Sequence, residues 1–132
     1  MKKLILFVTA FFVLTMSWAY PWHVIWFHDL YQSWGAMGRE HPLMEFGMLA
    51  ILIQGTVIGI LYPYYYQGVG HPIVKGVKFS LMMGLMVYSV MGFANVAKLN
   101  INPVGDYLIY HTVFQTIQFA VVGVALGWIY RK

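Results

Sequence analysis

Cysteine is missing from this chain of 132 residues, which removes disulfides, thiolate metal sites, iron–sulfur clusters and cysteine nucleophiles. Charge is also scarce: Asp, Glu, Lys and Arg make up 9% of the residues, against about 25% in a soluble domain. Nucleophile elbows, phosphate loops and paired catalytic carboxylates are absent, so no catalytic constellation is in view. No cofactor motif is present, and the expectation is a chain without a cofactor. Inverted repeats are absent too, which argues against a transporter built from one protomer. The net charge of +4 comes from basic residues in ones and twos beside apolar runs, with no basic stripe, so nucleic acid is not an expected partner.

What is present is apolar. Hydrophobic residues account for 61% of the sequence, more than one short water-soluble domain has an interior to hide. A helix crosses the hydrocarbon core with about 20 mostly apolar residues. Four segments qualify, over about residues 4–20, 43–62, 77–97 and 107–130, and no soluble domain fits between or beyond them. The fold class expected is all-α: a four-helix transmembrane bundle embedded in lipid. Lys2 and Lys3, an apolar run and then Ser17-Trp18-Ala19 have the form of a signal peptide, but the segment is read as a transmembrane helix or uncleaved anchor.

Orientation follows from the basic residues. In a four-pass arrangement Lys2, Lys3, Lys75, Lys78, Arg131 and Lys132 share one side, and only Arg39 and Lys98 take the other. The first side is therefore expected in the cytoplasm, with both termini there and the chain in a bacterial inner membrane. After the first span, Trp22, Trp26, Leu30 and Trp34 recur every four residues. That spacing predicts one shared face on an amphipathic helix at the outer interface, or a kinked extension of the first span beyond Pro21. Tyr62, Tyr64, Tyr65 and Tyr66, with Trp128 and Tyr130, suggest an aromatic belt on the inner side. Gly55 and Gly59, then Gly76, Ser80 and Gly84, then Gly123 and Gly127 place small residues four apart on three spans, which lets helix backbones approach closely.

The third span reads Gly84-Leu85-Met86-Val87-Tyr88 and ends Asn95-Val96-Ala97-Lys98-Leu99, with Asp106 opening the next span. This resembles the signature of small bacterial four-helix membrane proteins classed as a domain of unknown function, chiefly over residues 84–106. Gly92 stands where that family tends to carry an acidic residue. The resemblance implies the four-helix fold and brings no activity with it.

Polar residues in a membrane are costly, so their positions bear on function. Asp29, Glu40, Glu45 and Asp106, and His23, His28, His41 and His111, all fall toward the outer side, while His71 does not. His41 and Glu45 stand four apart, the spacing of one helix face. His111, Gln115 and Gln118 form a stripe on the fourth span that should point inward or toward a partner chain. His41, Glu45 and His111 are thus the candidate metal ligands, imidazole and carboxylate suiting zinc, copper or iron. The plainer reading is a hydrogen-bonded cluster that fixes helix register, or solvated groups paired with Arg39 and Lys98. Gln54 and Gln115, the deepest amides, are read as interhelical hydrogen-bonding groups. Met82, Met83, Met86 and Met91 are read as packing filler before a copper stripe.

Two functions are open on this reading. One is a non-catalytic accessory or assembly subunit of a larger membrane complex, with lipid and other membrane subunits or itself as partners. The other is an independent small-molecule, metal or proton binding or transport protein with an outward-facing His/Glu site.

Overall fold

Pro21 does not end the first helix. In the computed structural model, which describes residues 1–131, the backbone stays helical at Pro21 (φ −59°, ψ −42°). It passes into a wider π turn over Pro21–Trp26, and the Phe27 N–H reaches back five residues to the Trp22 carbonyl at 3.1 Å. The wider turn gives the pyrrolidine ring room that an α turn lacks. The first span therefore runs Lys2–Trp26, beyond the boundary expected from hydropathy. The others run Met44–Tyr65, Pro72–Lys98 and Val104–Tyr130, and all four helices are long and apolar enough to cross a membrane. The described residues contain no strand. Lys132, counted above with the cytoplasmic charge, lies outside the described residues.

The fourth span is the centre of the bundle, with half of its apolar window buried against 17–22% for the other three. It packs along the third span and against the first. The third–fourth contact is a glycine seam of the expected kind. A Cβ on Gly76 would strike the backbone of Gly123 and Gly127, and one on Gly123 would lie 2.6 Å from Val77 Cα. Gly84 lies under the ring of Phe119 in the same way. Gly55 and Gly59 admit Phe11 and Phe7, which are both fully buried and lock the first span to the second.

The basic end is closed by tyrosines. Tyr62 Oη donates to the Pro72 carbonyl at 3.2 Å, and Tyr130 Oη donates to the Gly59 carbonyl at 2.8 Å. Tyr62 and Tyr66 are buried, so only part of the expected belt faces outward, chiefly Tyr64 and Trp128. Lys3 Nζ donates to the Arg131 carbonyl at 3.0 Å, joining the two chain ends there.

The opposite end corrects the expected tryptophan stripe. The segment is helical, but the π turn and an irregular Phe27 (φ −124°, ψ 15°) shift its phase before the short helix His28–Ser33. Trp22 and Trp34 turn inward and are buried, whereas Trp26 is 58% exposed. The segment folds back over the bundle end as a cap. Trp22 Nε1 donates to Tyr31 Oη at 3.1 Å, and the Asn102 N–H donates to the Trp34 carbonyl at 3.0 Å. Gly35 makes this closure possible. Its φ of +76° suits glycine, and a Cβ there would lie 2.6 Å from the Asn100 carbonyl oxygen.

Candidate functional site

Each span turns one short stripe toward the bundle axis in the half away from the basic end. The first gives Thr15, Ala19 and His23, four residues apart; the second gives Gly47, Ala50, Ile51 and Gln54. The third gives Val87, Met91 and Asn95, and the fourth gives Tyr107, His111, Phe114, Gln115 and Gln118. Between them lies a cavity of about 380 Å³. Tyr31, Ala36 and Met37 of the cap complete its wall.

His111 is the residue in this wall that the fold leaves unprovided for. It is 4% exposed, and neither Nδ1 nor Nε2 has a hydrogen-bond partner. A buried polar group without a partner costs about 1–3 kcal/mol. Its ring is held in a stack. Tyr107 lies 5.5 Å away and 9° from parallel on one side, and Tyr88 lies 5.6 Å away at 25°. Tyr107 is fixed in turn by donating to the Met91 carbonyl at 2.7 Å, and Tyr88 Oη pairs with Thr112 Oγ1 at 2.8 Å. Met91 lies in a second π turn, Ser89–Ala94, so both π turns border this end of the cavity. Such turns recur at functional sites.

Phe114 divides the two histidines. Its ring centroid is 4.5 Å from that of His23 and 6.0 Å from that of His111. Trp18 stacks on Phe114 at 6.4 Å and donates to the Phe114 carbonyl at 3.1 Å, tying the first span to the fourth. Deeper in, Gln118 Nε2 lies 3.4 Å from Thr15 Oγ1. Among the described residues no Asp, Glu, Lys or Arg lines the cavity. It offers neutral donors and acceptors between aromatic and small apolar surfaces.

The inward stripe of His111, Gln115 and Gln118 stands as expected, with all three buried. The gathering of His41, Glu45 and His111 does not occur. His41 and Glu45 are exposed and line no part of the cavity. The second span begins at Met44, so His41 lies in the preceding loop and shares no helix face with Glu45. The signal against that helical spacing was in the sequence: His41 precedes Pro42, and a residue before proline is pushed out of the α region. Among the described residues no three His or acidic side chains come together to hold a metal. His28 and Asp29 form an exposed pair at 3.1 Å away from this cluster. Gln54 and Gln115 face the cavity. Met82 and Met86 are exposed and Met83 packs on the core, so the methionines do not converge.

Sequence reasoning missed His23 and Asn95 as members of the site. His23 lies two residues beyond Pro21, where a helix was expected to kink or restart, and Asn95 reads as an ordinary polar helix end. The spacing Thr15–Ala19–His23 marks His23 only if the helix continues through the proline. No family model, no curated protein and no solved structure matches this chain.

Proposed function

We propose that this protein is a small multi-pass membrane protein that holds an uncharged small molecule inside its bundle, with His111 as the main hydrogen-bonding contact. The observation that carries this reading is His111 itself: a residue in the wall of a cavity of about 380 Å³, a volume in the range of small-molecule sites, whose two buried ring nitrogens have no partner. A side chain meant only to fix helix register would satisfy at least one of those nitrogens within the bundle. The basic end lies in the cytoplasm of a bacterial cell and the cavity in the outer half of the inner membrane, as the distribution of Lys and Arg favours. The resemblance to an uncharacterised family adds no activity, so the reading rests on the cavity.

Native mass measurement after extraction in mild detergent tests it. The parent is expected to carry a bound small molecule that His111→Leu lacks, at equal yield of folded protein. The same added mass on both proteins, or none on either, would overturn the proposal.

The accessory-subunit reading keeps one observation in its favour. Residues 44–50 of the second span, almost two helical turns, are all exposed, an outer end that a partner helix as well as lipid would surround. A stable heavy assembly in the same measurement would favour it.

A further inference from the structure

The spans around the cavity are not equally joined. Beside the cavity the third and fourth spans are tied by Tyr107 Oη donating to the Met91 carbonyl and by the pairing of Tyr88 Oη with Thr112 Oγ1. The first and fourth are tied by Trp18 and Phe114, and the first and second by Phe7 and Phe11 against Gly59 and Gly55. The end is covered by Trp22, Tyr31 and Trp34. The second and third spans differ. They meet at the basic end, where Phe79 packs 5.5 Å from Tyr62 and 5.1 Å from Tyr65. Toward the cavity they part. Gly47 of the second span lines the cavity yet has open space around the position of a Cβ, and Met91 of the third, also in the wall, is 46% exposed. The opening lies about one turn in from the start of the second span at Met44 and leads sideways between two spans toward lipid.

Resting on the reading of the cavity as a ligand site, we infer that its ligand is a neutral, lipid-soluble molecule with a flat, oxygen-bearing head, of quinone type, entering sideways between the second and third spans. Three features select that chemistry. The cavity has no charged side chain to balance an ion, and an unpaired ion in such a site is costly. The rings of Tyr107, His111 and Phe114 offer aromatic faces and edges against which a planar head packs. The one N–H of neutral His111, with the amides of Gln54, Gln115 and Gln118, supplies donors for carbonyl oxygens in an apolar setting. An apolar tail leaves through the seam past Gly47 into lipid. No electron transfer is part of this assignment.

The test uses full-length protein in neutral phosphatidylcholine nanodiscs, with decylubiquinone as the probe. Trp18 and Trp22 have rings 6.4 Å and 5.8 Å from Phe114, so a quinone in the cavity quenches their fluorescence. Saturable quenching is expected in the parent. His111→Leu should weaken it about tenfold, the effect of losing one hydrogen bond to a buried partner. Gly47→Leu, which fills the seam from a position with free space around it, should weaken it to a similar degree while melting with the parent. Decanol, which shares the tail but lacks the ring, should not compete. Equal quenching in the parent and both variants, or relief of the quenching by decanol, overturns the inference. If the native mass measurement finds a His111-dependent ligand that decylubiquinone does not displace, the ligand class fails and the cavity reading stands. If no His111-dependent ligand is found and quenching does not saturate, both fail.

Discussion

His111 and Tyr107 stack with their ring centroids 5.5 Å apart and their planes within 9° of parallel, one turn apart on the fourth span. The stack fixes the histidine ring without giving either nitrogen a partner. Orientation is thus provided by packing, and hydrogen bonding is left for something else. In the ligand-free protein this arrangement opposes folding. Replacing His111 by Leu should therefore leave the empty bundle as stable as the parent or more so, by up to about 1–3 kcal/mol. Unfolding in detergent, after ligand has been stripped, measures this. A large loss of stability would show that the imidazole is satisfied within the bundle.

The glycine seam predicts the opposite response. Gly123 has Val77 Cα 2.6 Å and the Gly76 carbonyl oxygen 3.0 Å from the position of its missing Cβ, and such backbone atoms leave little room to relax. Gly123→Leu should destabilise the bundle by at least about 1–3 kcal/mol, the usual cost of overpacking, and should separate the third and fourth spans. Gly105, with nothing near its Cβ position, is the control and should tolerate Ala. Thermal unfolding of the two variants beside the parent provides the comparison.

Tyr31, in the cap outside the spans, has its hydroxyl pushed up to about 12 by burial, while the hydrogen bond from Trp22 acts in the other direction. Because the folded state holds this proton more tightly than the unfolded chain, its contribution to stability is complete below pH 10 and is lost as pH rises toward 12. Trp22→Phe removes the donor that favours the phenolate, so Tyr31 should titrate higher still. Tyrosinate absorbance of each protein, taken as a difference from its Tyr31→Phe counterpart, follows this one group. A downward shift in Trp22→Phe would contradict the assigned bond.

Reporter fusions test the proposed sidedness. A reporter after Lys132 is expected in the cytoplasm and one at Asn100 outside it, following the excess of Lys and Arg at the end where Lys3 meets Arg131. The reverse pattern would place the cavity in the cytoplasmic half of the bilayer.

Much of the architecture was legible because it depends on one-dimensional properties. Apolar runs long enough to cross a bilayer marked four helices, and small residues every fourth position marked the faces where backbones approach. The inward stripe of His111, Gln115 and Gln118 was legible for the same reason, since helical spacing and the cost of polar groups in lipid are local facts. Tertiary structure decided the rest. Whether Trp22 and Trp26 share a face depends on the π turn at Pro21, which hydropathy does not encode. That same turn carries His23 into the cavity wall. The separation of His41 from the helix of Glu45 is a different case, legible in the sequence because His41 precedes Pro42. That His111 lacks a partner follows from the order in which the four spans surround the axis and from the divergence of the second from the third. Such packing sums contacts between residues far apart in the chain, and no spacing within one helix contains it.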